Sequence, residues 1–185
     1  MAVPLTIDDW VDVATAALEE GGVSAVAVLP LAERLGTTRG SFYWHFRNRE
    51  ELLEATLARW EERSTADVIA ELEALPEPRE RLERLFRAAF ENANDGRVMA
   101  ALHAATHEPV VAIALQRISE RRLRFLASCF TGLGLTPARA RRRALAAYAA
   151  YTGTAQLQFA GPDVAPSGRA VRSYVEDLVG SLTGD

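Results

Sequence analysis

The sequence predicts an all-α protein with an N-terminal three-helix domain and a larger helical C-terminal domain. Apolar residues recur with the 3.6-residue period of a helix along most of the chain, and no alternating pattern typical of strands is present. The composition, 49% hydrophobic and 25% charged over 185 residues, is that of a folded globular protein. These observations exclude disordered and fibrous classes.

Cysteine content and the first residues indicate a cellular compartment. A single cysteine, Cys129, and three histidines exclude an intramolecular disulfide and a structural zinc cluster. The first ten residues contain two carboxylates and no cation, unlike a secretory signal. We therefore expect a cytoplasmic protein.

Three short N-terminal helices are predicted in order. The first lies between Thr6 and Gly21, where Thr6 and Asp9 have the spacing of a capping box and a glycine pair ends the helix. The second covers residues 28–35, with proline in its first turn, and the third covers residues 39–46, with Thr38 as its N-cap.

The rest of the chain is predicted to be helical as well. Asn48 and Glu51 cap a long fourth helix that runs to about Leu75, where prolines interrupt the pattern. Further helices are predicted at residues 79–93, 97–106, 109–132, 137–160 and 167–182. We assign residues 1–47 to the first domain and residues 48–185 to the second.

Charge is distributed unevenly along the chain. Its 21 cations are all arginine and face 25 acids, which gives a net charge of −4. Residues 34–49 contain four arginines and no acid, so this segment carries +4 and the rest, by difference, −8. A basic segment within an acidic chain is the electrostatic pattern expected of a DNA-binding element.

The third helix carries side chains suited to DNA. Two helices joined by a glycine-containing turn over residues 28–46 form the geometry that places the second helix in the major groove. Phe42 and Phe46, four residues apart, can face inward with Leu35. The remaining side chains offer donors and flat surfaces, namely Arg39, Ser41, Tyr43, Trp44 and His45. A satellite helix packed in a core is the alternative, but it has no use for these polar side chains.

The segment LAERLGTTRGSFYWHFRNREELL, Leu31 to Leu53, resembles the helix-turn-helix signature of TetR-family transcriptional regulators. The Leu-Ala-Glu-x-Leu-Gly stretch, the Tyr-x-His-Phe sequence and the following Glu-Leu-Leu stretch carry the likeness, which extends over residues 7–55. The resemblance implies an N-terminal DNA-binding domain, a C-terminal ligand-binding domain and homodimerisation through the last two helices. It favours a repressor that a small molecule releases from operator DNA.

The resemblance also assigns residues to DNA contact. They are Thr38, Arg39, Ser41, Tyr43, Trp44, His45 and Arg49. On the family pattern Arg39 and Ser41 reach base edges and the others contact phosphates, except that Trp44 stacks against a sugar or a thymine methyl, or packs. Two features depart from the pattern. Ala27 stands where the family places a capping hydroxyl, and residues 1–6 contain no basic arm.

A ligand site and a dimer interface are expected in the C-terminal helices. The expected ligand-binding residues are Phe86, Phe90, Met99, Leu102, His103, Phe125, Tyr151 and Gln156. They predict an apolar effector with one polar handle, although aromatic residues at this spacing can also fill a solid core. The dimer is expected to use helices 137–160 and 167–182, where small residues such as Gly153 permit close helix approach.

Other patterns have ordinary explanations that we favour. His103 and His107 could hold a metal, but HAATH lacks the glutamate of a hydrolytic zinc helix, so no metal or other cofactor is predicted. The eight arginines of residues 117–143 suit solvated helix faces or dimer pairing better than nucleic acid. The uncharged residues 144–162 contain too many threonines and glutamines for a lipid face, so no membrane contact is expected.

Two rival hypotheses remain at this stage. One is a helical enzyme or metal-binding protein on the same frame, although the sequence contains no GxSxG turn and no phosphate-binding glycine loop. The other is a partner-binding module that has lost DNA binding, against which the intact Arg39–His45 surface weighs. We expect a regulator and no enzymatic activity.

Overall fold

The computed structural model describes residues 5–161, 164–166 and 168–184, and the regular secondary structure of these residues is entirely helical. This part of the chain contains α1 (Ile7–Gly21), α2 (Val28–Arg34), α3 (Arg39–Phe42), α4 (Arg49–Glu61), α5 (Asp67–Glu73), α6 (Pro78–Glu91), α7 (Ala93–Ala104), α8 (Pro109–Gly132), α9 (Pro137–Ala160) and α10 (Arg169–Thr183). A 3₁₀ turn at Val23–Ala25 precedes α2, and a π-helical turn at Glu62–Ala66 joins α4 to α5. The prediction of an all-α fold is confirmed.

Two of the predicted helix caps are formed by local side chains, whereas Thr38, the predicted N-cap of α3, makes no side-chain capping hydrogen bond. At α1 the Thr6 hydroxyl accepts from the Asp9 N–H at 3.2 Å, and the Asp9 carboxylate accepts from the Thr6 N–H at 2.7 Å. These reciprocal hydrogen bonds confirm the capping box. At α4 the Asn48 side chain accepts from the Glu51 N–H at 2.9 Å. Both caps satisfy N–H groups that have no partner within the helix.

The predicted and observed helix bounds differ most at three helices. The α-helical part of α3 ends at Phe42, because the chain then winds more tightly and the His45 N–H donates to the Phe42 carbonyl at 2.9 Å. The helix predicted over 48–75 is divided by the π-helical turn. The helix predicted over 97–106 instead spans 93–104, since the Asn92 side chain caps it by accepting from the Asp95 N–H at 3.3 Å. The first residue predicted for α10, at position 167, lies outside the described residues.

One continuous core connects the two ends of the molecule. In the N-terminal part α1 packs on α2 and α4, around the fully buried Trp10 and Phe42. In the C-terminal part α8 and α7 both pack on α9, and α6 packs on α10. Helix α4 contacts both α1 and α8, and it buries Leu52, Leu53 and Leu57 completely. Helix α4 therefore links the N-terminal helices to the C-terminal ones, beside a direct contact of α1 with α7.

Ion pairs fasten α4 to its neighbours on both sides. Arg59 donates to Asp8 and to Asp12 of α1, each at 2.6 Å. On the other side, Arg117 of α8 donates to the buried Glu61 at 2.7 Å. Asp8 and Asp12 are mostly exposed, so each of their ion pairs with Arg59 contributes at most about 1 kcal/mol to stability. The apolar core is therefore the main source of stability.

In the ranges that the structure covers, no helix combines the length and the apolar character that a bilayer crossing requires. The uncharged stretch that begins at Ala144 lies on α9 as far as Ala160, and successive turns bury Ala144, Ala147 and Tyr151 against neighbouring helices.

We expect replacements of two aromatic residues close together in the α3 region to have unequal effects on stability. Phe42→Ala should lower the free energy of unfolding by about 3–5 kcal/mol, because the ring is fully buried. Trp44→Ala should change it by less than about 0.5 kcal/mol, because this side chain is 88% exposed. Urea denaturation at one fixed protein concentration measures both. Equal losses would mean that the inward and outward faces of α3 are wrongly assigned.

Candidate DNA-binding surface and ligand cavity

The turn between α2 and α3 sets the position of the DNA-facing side chains. Gly36 has a φ of 64°, a left-handed conformation that glycine adopts without steric cost. Its N–H donates to the Glu33 carbonyl at 3.1 Å, and the Thr37 N–H donates to the Ala32 carbonyl at 2.9 Å. These hydrogen bonds close α2 and direct the chain into α3, which gives the helix-turn-helix arrangement.

Phe42 anchors α3 to the rest of the N-terminal core. Its ring lies edge-on to Trp10 with centroids 5.4 Å apart, and it stacks on Phe46 at 5.6 Å. Leu31 of α2 is fully buried in the same cluster. Because this face is held by aromatic contacts, the opposite face of α3 has a defined orientation toward solvent.

The outward side of α3 and of the residues that flank it, Thr38 and 43–45, carries the side chains that the sequence assigned to DNA. Thr38, Arg39, Tyr43 and Trp44 are exposed, and Ser41 and His45 are half-buried. The Arg39 Nη2 donates to the Tyr43 hydroxyl at 3.1 Å, and the guanidinium lies 5.9 Å from the centroid of that ring. Arg39 and Tyr43 therefore support each other before any DNA is bound.

Arg49 has a different environment from the other predicted DNA contacts. Its Nε and Nη2 donate to the carbonyls of Val26 and Val23 at 2.7 and 2.9 Å. Its Nη1 donates to the carboxylate of Glu108 at 2.6 Å, and both side chains are about 30% exposed. Glu108 occupies the N-cap position of α8. Arg49 thus joins the start of α4 to the 3₁₀ turn and to α8, and a phosphate contact would have to replace some of these hydrogen bonds.

A cavity of about 140 Å³ lies among the π-helical turn, α5, α6, α8 and α9, with Asn92 and Asp95 at the start of α7. Its apolar walls are Val68, Ile69, Leu85, Phe86, Ala88, Ala89, Phe125, Leu126 and Ala147. Its polar lining consists of Arg63, Ser64, Thr65, Asn92, Asp95, Arg122, Tyr148 and Tyr151. The combination of apolar walls with a few polar groups at one site is typical of small-molecule binding sites.

The structure brings only part of the predicted ligand set to this cavity. Phe86, Phe125 and Tyr151 line it. Phe90, Met99 and Leu102 are buried in the core and do not border it, while Gln156 is exposed on α9. His103 is half-buried away from the cavity, and burial lowers the pKa of its imidazole. The polar groups that border the cavity are thus different from the predicted His103 and Gln156.

Sequence reasoning missed Arg122, which lies in the cavity wall. It stands at helical spacing from Ile118, Leu126 and Cys129, all of which are buried on one face of α8. The available signal was a charged residue within an apolar helical stripe. A charge on a buried face needs polar partners inside the protein, so such a residue indicates a polar site. That signal was hidden because Arg122 also belongs to an arginine-rich stretch with a simpler interpretation as a solvated surface.

The arginines of residues 117–143 do not share one surface. Arg117 pairs with Glu61, and Arg122 is buried at the cavity. Arg143 instead donates to the carbonyls of Ser181 and Gly184, each at 3.3 Å, near the end of α10. Arg122 therefore departs from the predicted solvated helix face, and the partners of Arg117 and Arg143 lie within the same chain.

The histidine pair does not have the helical geometry that a two-ligand site requires. Helix α7 ends at Ala104, so His107 lies in the following turn and not one turn further along the same helix. Among the residues that can be described, no three histidine, cysteine, aspartate or glutamate side chains are grouped so that they could hold a metal ion.

Comparison with known proteins agrees with this arrangement of a helix-turn-helix and a helical domain. Residues 11–56 match the family described as "Bacterial regulatory proteins, tetR family". Over 178 aligned residues the chain is 29% identical to the HTH-type transcriptional regulator ArpR of Pseudomonas putida. The aligned segment covers 92% of this chain and 76% of ArpR. The fold and the surface of α3 thus define a DNA-binding transcriptional regulator. The chain belongs to the TetR family.

Solved structures share the fold along nearly the whole chain. The regulator FadR from Bacillus subtilis, in complex with stearoyl-CoA, has a TM-score of 0.73 at 16% identity and covers 97% of this chain and 98% of its own. A transcriptional regulator from Saccharomonospora viridis, in complex with choline, has a TM-score of 0.78 at 19% identity and covers 94% of each chain. The relatives are regulators of transcription, so the enzyme hypothesis is set aside.

We expect Arg49→Ala to lower the free energy of unfolding by about 1–3 kcal/mol, because it removes charge-assisted hydrogen bonds to two carbonyls and one carboxylate. The matched control is Arg47→Ala, whose side chain is 88% exposed and should contribute little. Denaturation curves compare the two variants. We further expect the salt dependence of DNA binding to be unchanged in Arg49→Ala. A slope reduced by about one would instead assign Arg49 to a phosphate.

Proposed function

We propose that this regulator is a homodimeric, cytoplasmic repressor that binds operator DNA through α3 and leaves it when a small molecule fills the C-terminal cavity. The observation that carries the proposal is the course of α4. This helix begins beside the DNA-facing surface, and its π-helical continuation forms part of the cavity wall. The proposed DNA-binding residues are those predicted from the sequence except Arg49, whose guanidinium is held by Val26, Val23 and Glu108.

The proposed DNA contact follows from the exposed face of α3. Arg39 can offer a bidentate pair of donors to a base edge, and the ring of Trp44 projects fully from the surface. Tyr43 and Thr38 carry hydroxyls on the exposed side, where they can donate to phosphates. Residues 1–47 would form the DNA-binding domain and residues 48–185 the sensing and dimerising domain.

The proposed dimer interface follows from an exposed apolar stripe on α9. Leu145 and Leu157 are 60% and 48% exposed, and Ala146, Ala149 and Gly153 are exposed between them. A Cβ atom added at Gly153 would meet nothing within 4 Å. Helix α10 packs beside α9, where the Thr154 and Tyr174 hydroxyls lie 3.0 Å apart. An uncharged stripe of leucines and small residues is typical of a surface that a second copy covers.

The proposed release mechanism uses α4 as the connection. Ligand binding changes DNA affinity only if the ligand prefers the arrangement that does not fit the operator. Arg122 at the cavity donates to the Ser64 carbonyl at 3.2 Å and to the Thr65 hydroxyl at 2.9 Å. A ligand that shifts these contacts would shift the π-helical turn, and with it α4 and the recognition domain. The π-helical turn is a suitable point for such a change, since such turns are frequent at functional sites.

Selection of bound fragments from random DNA tests the DNA-binding part directly. Purified full-length protein should enrich fragments with two half-sites whose centres lie about 34 Å or a multiple apart. The expected result is a shared inverted sequence among the enriched fragments. Enrichment of no sequence over the starting pool would contradict operator recognition.

We expect Arg39→Ala and Tyr43→Phe to differ in kind. Arg39→Ala should lose about 1–3 kcal/mol of discrimination between the selected operator and random DNA, because a bidentate base contact is lost. Tyr43→Phe should weaken binding to both DNAs by a similar factor, because a phosphate contact is lost. Fluorescence anisotropy with both DNAs measures this. Equal losses on both DNAs for Arg39→Ala would contradict its role in reading bases.

We expect Gly153→Glu to produce monomers that do not bind the operator. The variant places a charge in the middle of the proposed interface, where a symmetric partner would bring a second carboxylate close to it. The control is Gln116→Glu, which adds the same charge at an exposed position of α8. Sedimentation velocity and operator binding should separate the two variants. An intact Gly153→Glu dimer that still binds operator would contradict this interface.

A further inference from the structure

The guanidinium of Arg122 is held rigidly at the cavity wall. Its side chain is only 13% exposed, and it is fixed by the hydrogen bonds to Ser64 and Thr65 of the π-helical turn. Two aromatic rings flank it, with the centroids of Trp60 and Tyr151 at 5.7 and 5.6 Å from its central carbon. Such stacking keeps the fork of N–H groups in one orientation.

The nearby carboxylate does not occupy this fork. The Asp95 oxygen lies 3.6 Å from Arg122 Nη2, so the two groups attract each other beyond hydrogen-bonding distance. Asp95 instead accepts from the Tyr151 hydroxyl at 3.2 Å. Burial raises the pKa of the Asp95 carboxyl, against the effects of Arg122 and Tyr151. Arg122 therefore attracts an anion without already being paired bidentately with one.

The charge of the cavity lining is positive on balance. Arg63 and Arg122 both border the space, whereas Asp95 is the one acid among its described lining residues. Arg63 lies 3.4 Å from Asp12, but that carboxylate is closer to Arg59 at 2.6 Å. A cation entering this cavity would meet two guanidinium groups, whereas a carboxylate would gain charge-assisted hydrogen bonds.

The dimensions of the cavity limit the rest of the ligand. A cavity of about 140 Å³ is close to the size that holds a benzene ring in other proteins, and well below the roughly 300–1,000 Å³ typical of drug-sized ligands. Phe86 and Phe125 provide flat apolar surfaces on which an aromatic ring can pack. A long acyl chain such as that of stearoyl-CoA, the ligand of the Bacillus subtilis structure, would not fit the space described.

We infer that the effector is a small aromatic carboxylate, a single ring with one acid group, whose carboxylate binds Arg122 and whose ring lies between the apolar walls. This inference rests on the proposed function, since it names the chemical class of the molecule that the cavity senses. Binding of the carboxylate draws Arg122 away from Ser64 and Thr65. The π-helical turn then loses hydrogen bonds that hold it in the present geometry.

Calorimetric titration of the full-length protein with benzoate, benzamide, benzylamine, phenylalanine and decanoate tests the inference without DNA. Benzoate should bind, and benzamide and benzylamine should bind at least about tenfold more weakly, because they lack the charge that Arg122 recognises. Phenylalanine, which carries a second, positive charge, and decanoate, which has no ring to pack on Phe86 and Phe125, should also bind more weakly than benzoate. Stronger binding of any of these four compounds than of benzoate would overturn the inference.

Two variants separate ligand recognition from a purely structural role of the buried charges. Asp95→Asn removes the competing negative charge, so benzoate should bind several-fold more tightly while benzamide is unaffected. Arg122→Leu should abolish benzoate binding, and Arg124→Leu, at a position 72% exposed on the same helix, should not change it. Circular dichroism checks the fold of each variant. Unchanged benzoate affinity in Asp95→Asn would overturn the inference even if Arg122→Leu fails to fold.

Release of selected operator DNA distinguishes failure of this inference from failure of the proposed function. If benzoate binds as expected but operator DNA stays bound, the inferred ligand class is supported and the proposal of a ligand-released repressor is wrong. If a neutral or cationic compound releases the DNA and benzoate does not bind, the proposal of a ligand-released repressor is supported and the inferred ligand class is wrong. Benzoate that both binds through Arg122 and releases the DNA supports both.

Discussion

The hydrogen bonds from Arg122 to the π-helical turn of residues 62–66 are the interaction on which the proposed coupling of the two halves depends. They attach α8 to the continuation of α4, at the same place where the cavity opens between the helices. A buried guanidinium is tolerated here because backbone and hydroxyl oxygens meet it and aromatic rings flank it. The geometry of the turn and the occupancy of the cavity are consequently linked through one side chain.

At its other end α4 is held by a second arginine. Arg49 connects the beginning of this helix to the carbonyls ahead of α2 and to Glu108 at the beginning of α8. Guanidinium groups thus hold the beginning of α4 and the π-helical turn that follows its end, while leucines are buried in between. Polar contacts of this kind exchange partners more readily than packed side chains do, which suits the release mechanism proposed above.

The DNA-facing surface depends on a different principle, the contrast between the two faces of a short helix. A helix as short as α3 has little stability of its own, so tertiary contacts must hold it. Phe42 and Phe46 supply these contacts on the inner side. The outer side can therefore carry arginine, tyrosine and an exposed tryptophan, which contribute little to stability and remain available for a ligand as large as DNA.

Local interactions are what the sequence by itself determined. The helix positions, the caps at Thr6 and Asn48, and the inward direction of Phe42 all depend on residues three or four positions apart, so a linear pattern reveals them. The partners of Arg49 and Arg122 were decided only by the tertiary structure. Arg49 meets Glu108 across 59 positions, and Arg122 meets Thr65 across 57. Contacts over such separations depend on how whole helices pack, and the packing is fixed by the shape of the entire core.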